Sequence, residues 1–291
     1  MKKLISQRIN PDKELAILNF LWRWKVATSS AIFIRFEPVY KWKQFTAYQR
    51  MLKLKEKGLV DCKLVNSRSF AIWTLTRNGF KAIRESLPLL KEEGYDTESP
   101  EHDLYVLAAQ YGDWLPKGTV DDVAFFTEQE LRRQADETLF DWLPPTKAHR
   151  PDGYWYFPKL KTNSLISLEV EINRKAFSDY VGYGNFYNRY KVIESVIWIV
   201  QSANLAKKIV SAAQGNLTEF RDIHNFILFS DFLKYGWQAK FFSGPAACTE
   251  LGVFLNRHRL QFIESMPKVT QKYPVTTQIL DQRLCCFKLT V

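Results

Sequence analysis

Two short segments of the chain hold the residues whose types and spacing could perform chemistry. One is residues 149–153, His-Arg-Pro-Asp-Gly, and the other is residues 168–175, Leu-Glu-Val-Glu-Ile-Asn-Arg-Lys. Alternate side chains of a strand face opposite sides, so Glu169 and Glu171 share one face with Asn173 while the apolar residues face the other. Carboxylates beside a buried core are unfavourable unless a positive charge accompanies them. The pattern therefore indicates a site for a cation.

A predicted hairpin brings a third acid to the same face. We predict its loop at residues 158–163, and symmetric pairing around that loop places Phe157 opposite Ser164 and Asp152 opposite Glu169. Directly opposed residues have Cβ atoms about 4.5–5.5 Å apart. At that separation the two carboxylates could hold one divalent ion between them.

The predicted site has ligands of one chemical kind. Asp152, Glu169 and Glu171 supply only oxygen atoms, which favour Mg²⁺ or Mn²⁺ over zinc. Such an ion binds a phosphodiester oxygen and lowers the pKa of an attacking water. His149 could hold one of the ligand carboxylates in place. Arg150 is expected to pair with a carboxylate or a phosphate.

Charge is distributed unevenly along the chain that must position this site. Residues 1–95 contain 19 Lys and Arg against 8 Asp and Glu, a net charge of +11, whereas the remainder contains 22 against 23, a net charge of −1. A basic module on a near-neutral body is typical of polyanion binding. A merely soluble basic domain is the alternative.

The basic third of the chain has the pattern of a winged helix-turn-helix. We predict helices near 13–22, 28–35 and 43–57, strands at 59–65 and 70–75, and a closing helix after Thr76. Residues 73–79, Trp-Thr-Leu-Thr-Arg-Asn-Gly, resemble the end of the wing in such domains. The third helix would then enter the major groove of DNA. The residues predicted to face DNA are Lys41, Lys43, Gln44, Tyr48, Arg50 and Lys53, with Arg68 at the tip of the wing.

The rest of the chain predicts a second domain. Residues 1–86 form the winged helix, residues 87–101 an exposed linker, residues 102–260 a domain of alternating helices and strands, and residues 261–291 a C-terminal extension. The fold class is therefore α+β or α/β, with a mixed sheet in the second domain.

The spacing of the acids resembles a known nuclease pattern. Asp152 followed by Glu169-x-Glu171 on adjacent strands is similar to the PD-(D/E)XK nucleases, whose fold is restriction-endonuclease-like. This resemblance implies metal-binding and catalytic roles for Asp152, Glu169 and Glu171. However, Glu171 stands where the family has lysine. Lys175 or Arg174 could supply the missing charge, and hydrolytic competence is left open.

The order of all the motifs resembles the plasmid replication-relaxation family, which includes the MobC-type mobilisation relaxases. The resemblance covers residues 12–200 and rests on the winged helix and four further motifs, His102-x-Leu104, residues 127–132, residues 150–153 and residues 169–171. It implies metal-dependent nicking of double-stranded DNA at a plasmid origin of transfer, with other mobilisation proteins as partners. It also implies Glu130 as an additional acid.

Two hypotheses of different class follow. In the first the chain is a relaxase-like endonuclease, and in the second it is a non-catalytic replication, mobilisation or transcription factor with an inactive nuclease-like domain. Tyr180, Tyr183, Tyr187 and Tyr190 are interpreted as helix packing, with a tyrosine nucleophile as the alternative. No signal peptide or membrane span is evident, so we expect a cytoplasmic protein without a membrane partner. A homodimer is left open.

Overall fold

The computed structural model describes residues 11–65, 68–115, 124–135, 142–158, 163–215 and 220–264. Within these ranges the chain forms two compact units. The first contains residues 11–113 together with 133–135, and the second contains residues 114–132 and the described residues from 142 onward. None of the described helices has the length and apolar character needed to cross a membrane.

The first unit contains the predicted elements in the predicted order. The helices are α1 (Pro11–Trp24), α2 (Ser29–Tyr40), α3 (Gln44–Glu56) and α4 (Arg77–Ile83), the last continued by a 3-10 turn at Arg84–Ser86. Between α3 and α4, strands β1 (Val60–Val65) and β2 (Arg68–Leu75) form an antiparallel hairpin. Helix α2 is longer than predicted, because Pro38 lies inside its last turn instead of ending it.

Capping by Thr76 and close packing at Gly79 explain the Leu-Thr-x-x-Gly sequence at the end of the hairpin. The Thr76 hydroxyl caps α4 by accepting from the Gly79 amide at 3.1 Å, and it donates to the Gly58 carbonyl at 2.7 Å. A Cβ atom on residue 79 would overlap the carbonyl oxygen of Leu59. Threonine and glycine therefore join α4 closely to the segment that follows α3.

The predicted linker and domain boundary are corrected by the structure. Helix α5 (Pro100–Tyr111), expected to open the second domain, belongs to the first unit. Its Tyr111 ring lies 5.3 Å from that of Phe20 and 5.4 Å from that of Trp24. In the predicted linker, the Gly94 carbonyl accepts a hydrogen bond of 3.1 Å from the Trp22 indole. Aromatic residues of α1 thus contact both α5 and the preceding segment, although the composition of that segment is typical of an exposed linker.

The second unit is built on a five-stranded mixed sheet. Its strands, in spatial order, are β3 (Ala124–Thr127), β4 (Gly153–Pro158), β5 (Asn163–Glu171), β6 (Ile193–Val200) and β7 (His224–Leu228). The first three pair antiparallel, and the β5–β6 and β6–β7 pairs are parallel. The helices are α6 (Glu128–Arg133), α7 (Phe177–Arg189), α8 (Ala203–Gln214), α9 (Phe229–Tyr235) and α10 (Leu251–Glu264). The expectation of an α+β chain with a mixed sheet is confirmed at this level.

The hairpin that carries the acids has the predicted register. Phe157 pairs with Ser164 and Gly153 with Leu168, so Asp152, immediately before β4, falls opposite Glu169. The loop residues 159–162 lie outside the described residues. Strand β7 ends at Leu228, and α9 begins at the next residue, Phe229.

Candidate functional site

The candidate site lies at the edge of the sheet where β4 begins and β5 ends. The Asp152 amide donates to the Leu168 carbonyl at 3.1 Å, and its Oδ2 atom accepts from the Val170 amide at 2.6 Å. Gly153 is required here because a side chain would overlap the ring of Phe125 on β3. The Pro-Asp-Gly sequence therefore starts a strand and holds its carboxylate against β5.

Glu169 is a buried carboxylate with two side-chain partners. It is only 3% exposed, and it lies on the face of β5 that α7 covers. Its Oε1 atom lies 2.6 Å from Nε2 of His149 and also accepts a hydrogen bond from the Tyr187 hydroxyl. The Tyr187 hydroxyl is also 2.8 Å from Oγ of Ser167. These contacts satisfy a charge that burial alone would make unfavourable.

Glu171 lies two residues further along the same face and pairs with Lys175. The Lys175 ammonium donates to its Oε2 atom at 2.9 Å. Burial raises the pKa of Glu171 to about 6, and the negative charges of Glu169 and Asp152 add to the rise against the opposing effect of Lys175. The three predicted acids are thus close enough to repel one another electrostatically.

Lys175 supplies the positive charge of the site. Burial opposes its charged form, but Glu169 and Glu171 outweigh this effect and raise its pKa above the ordinary range. Its amide donates to the Tyr180 hydroxyl at 3.0 Å, and its carbonyl accepts from the Lys208 ammonium at 3.0 Å. Arg174 and Lys175 are both exposed, and Lys175 is the one whose ammonium contacts an acid of the group, Glu171.

The tyrosines of α7 contribute more than packing. Burial, followed by the charge of Glu169, raises the pKa of Tyr187 well above its usual value, so its hydroxyl stays a donor. The Tyr183 ring lies 4.2 Å from the His149 ring, and the Lys175 ammonium lies 5.2 Å from the Tyr183 ring centroid. Sequence reasoning missed these roles, although the one-turn spacing of Tyr183 and Tyr187 could have placed both on the face toward the acids.

Other residues singled out in the sequence have structural partners. Glu130 forms a capping box at the start of α6, where its Oε2 accepts from the Thr127 amide at 2.8 Å and from the Thr127 hydroxyl at 3.0 Å. This contact gives the expected additional acid a structural role. Arg150 pairs with Glu128 at 3.3 Å, in agreement with the expectation of a carboxylate partner. His102 lies 3.8 Å from Asp103 within the first unit.

The acids suit a hard divalent cation by donor type, since all three supply carboxylate oxygens. Burial is the main cause of the raised pKa of Glu171, and the charges of Glu169 and Asp152 add a smaller contribution, which a bound cation would offset. Among the residues that the structure describes, no group of three His, Cys, Asp or Glu is arranged to hold a metal ion. In this arrangement His149 contacts Glu169, and the Lys175 ammonium contacts Glu171.

The predicted DNA-facing residues lie on and beside α3. Ala47, Met51 and Leu54 are its buried side. Five predicted residues are exposed, namely Lys41, Lys43, Gln44, Tyr48 and Lys53.

The two arginines predicted to contact DNA, Arg50 and Arg68, differ from these five exposed residues. Arg50 is half-buried, and its guanidinium lies 4.7 Å from the ring centroid of Trp42. The Trp42 indole is thus a close partner of the Arg50 guanidinium, and the role of Arg50 in binding DNA stays a prediction. The side chain of Arg68 lies outside the described residues.

Comparisons of the chain with models of known protein families, with curated proteins and with solved structures find no match. The geometry of the chain itself is therefore the evidence for its function.

Proposed function

We propose that the chain is a DNA-processing protein that binds double-stranded DNA through a winged helix and nicks it through a PD-(D/E)XK nuclease-like second unit with Mg²⁺ or Mn²⁺. The observation that carries the proposal is the grouping of Asp152, Glu169 and Glu171 with Lys175 at one edge of the sheet. Three mutually repelling carboxylates with one ammonium are typical of a site that handles a cation and a phosphate.

Each residue of the group has a separate role in this proposal. Asp152, Glu169 and Glu171 would have to draw together to hold the ion, because the described residues contain no group of three already arranged for a metal. When bound, the ion would polarise a phosphodiester oxygen and lower the pKa of an attacking water. Lys175 keeps its proton at neutral pH and would neutralise charge on the phosphate. His149 orients the Glu169 carboxylate from the side of α7.

The first unit supports the DNA-binding half of the proposal. Its three helices, antiparallel hairpin and closing helix follow the order of a winged helix. Lys41 and Lys43 are exposed at the start of α3, and the basic excess of the chain is concentrated in residues 1–95. The resemblance to the plasmid replication-relaxation family directs the proposal to origin-of-transfer DNA.

The test is a nicking assay on a supercoiled plasmid that carries the duplex site selected by the protein from a random pool. With Mg²⁺ or Mn²⁺ the plasmid should become open-circular, and Asp152→Asn should abolish the conversion. Asp222→Asn, at an exposed position, is the matched control. Nicking that survives Asp152→Asn would reject the assignment of the site.

A second candidate function is a non-catalytic DNA-binding factor with an inactive nuclease-like unit. The observation that favours it is the pairing of Glu169 with His149 and of Glu171 with Lys175, which gives both acids a side-chain partner from the chain itself. Thermal melting with Mn²⁺ discriminates the two functions. Tight DNA binding without any Mn²⁺-dependent shift in Tm supports the factor, whereas a shift that Asp152→Asn removes supports the enzyme.

A further inference from the structure

The side of α3 that faces away from the core presents an aromatic ring and an amide. Ala47, Met51 and Leu54 define the inner side of the helix. Because successive residues of an α-helix are rotated by about 100°, the opposite side contains Phe45 and the partly buried Gln49, one turn apart, followed by Leu52 and the exposed Glu56. Phe45 was absent from the residues predicted to face DNA, yet it is 69% exposed. It is the second residue of the helix.

The residues near Phe45 indicate what kind of molecule would bind this side of α3. Tyr48, also on α3, is 43% exposed, and Lys41, Lys43 and Lys53 are exposed around the same helix. Phe45 and Tyr48 are neighbours about one turn apart on α3, and the three exposed lysines near them favour a polyanion as the partner. The major groove of DNA combines both features that such a surface would bind. Its edges are negatively charged phosphates, and on its floor each thymine presents a methyl group.

We propose that Phe45 and Gln49 are the base-reading pair of α3 and that they select neighbouring A·T pairs. Gln49 would bind N6 and N7 of adenine through its amide, and the Phe45 ring would contact the C5 methyl of thymine. The inference rests on the proposed binding of DNA by α3. Neither side chain is charged, so the pair contributes base specificity, while the surrounding lysines contribute the salt-dependent affinity.

The experiment is selection of binding sites by the full chain from a random duplex pool, followed by titration of the selected duplex. The selected sites should contain adjacent A·T pairs at fixed positions. Replacing each thymine by deoxyuridine, which lacks the methyl group, should weaken wild-type binding by about four-fold at one position. Phe45→Ala should lose that sensitivity, and Gln49→Ala should relax the neighbouring position by about five-fold or more.

Phe45→Leu and Leu89→Ala serve as controls. The leucine at residue 45 keeps an apolar contact and should retain part of the deoxyuridine effect. Leu89 is 60% exposed and lies outside α3, so its truncation should change neither affinity nor the selected sites. Circular dichroism establishes that each variant is folded, which the exposure of Phe45 leads us to expect.

The outcomes separate this inference from the proposed function. Salt-dependent DNA binding with unchanged deoxyuridine sensitivity in Phe45→Ala would overturn the base-reading pair and leave DNA binding intact. Selected sites without A·T preference would overturn it in the same way. Absence of any DNA binding, with Phe45→Ala instead dissociating a dimer in light scattering, would overturn both.

Discussion

The Nε2 atom of His149 lies 2.6 Å from the Oε1 atom of Glu169, and both side chains are almost entirely buried. The two residues are 20 positions apart, and the strand pairing of β4 with β5 brings their segments together. A buried carboxylate that loses such a partner retains its desolvation cost without compensation. The stability of the second unit should therefore depend on this contact.

We expect His149→Ala to lower the free energy of unfolding by about 1–3 kcal/mol, because Glu169 would keep only its bond to Tyr187. Urea denaturation at neutral pH measures the change. His149→Asn, which keeps a donor, should recover part of the loss. The control is His258→Ala, since His258 lies 3.9 Å from Glu194. Equal decreases in the free energy of unfolding for His149→Ala and His258→Ala would contradict the view that the buried contact of His149 with Glu169 stabilises the second unit.

Lys175→Met should reduce plasmid nicking by about 10²-fold or more, since it removes the ammonium that would stabilise charge on the phosphate. The neighbouring Arg174→Met variant should nick at nearly the wild-type rate, because the ammonium that contacts Glu171 belongs to Lys175. Rates are compared at saturating Mn²⁺. DNA affinity, measured separately, should change little in either variant. If Arg174→Met lost more nicking activity than Lys175→Met, Arg174 and not Lys175 would supply the positive charge at the phosphate.

The raised pKa of Glu171 predicts a specific pH dependence of stability. Its folded pKa of about 6 exceeds its ordinary value of 4.5, so folding favours the protonated form. The stabilisation is fully present below about pH 4.5 and is lost as the pH rises through about 6. Relative to Glu171→Gln, the wild-type protein should lose roughly 1 kcal/mol over this range, after allowance for solvent screening.

Urea unfolding of both proteins at several pH values between 4 and 7.5 measures this difference. Glu250→Gln, at a half-buried acid outside the group of Asp152, Glu169 and Glu171, provides the comparison. A wild-type stability that rises relative to Glu171→Gln across the range would have the wrong sign and would place Glu171 in a site that favours its charge.

Binding of DNA should weaken steeply with salt, because each neutralised phosphate contributes a slope of about −0.9 in log affinity against log salt concentration. Lys43→Glu should lower affinity and make the slope shallower. Lys207→Glu, exposed on α8 in the second unit, carries the same charge change and should have a smaller effect. Titration at several salt concentrations provides both quantities. Equal effects would place the DNA surface away from α3.

Local sequence rules determined much of the architecture. The alternation of residues 168–172 and the symmetry of the hairpin were sufficient to predict that Asp152 falls opposite Glu169, because strand periodicity and a short loop leave one favourable register. The Thr76 cap and the Gly79 contact were likewise predictable in kind, since they join segments that lie close in the chain.

Only the tertiary structure decided which charges meet the acids. Nothing in the spacing of Arg174 and Lys175 distinguishes them, and the choice depends on how Tyr180 and Lys208 hold the backbone of Lys175. The inclusion of α5 in the first unit was equally beyond local rules, because it depends on aromatic contacts with α1 across more than 80 residues of chain. Periodicity reports which face of an element is apolar, but it contains no information on which distant element covers that face.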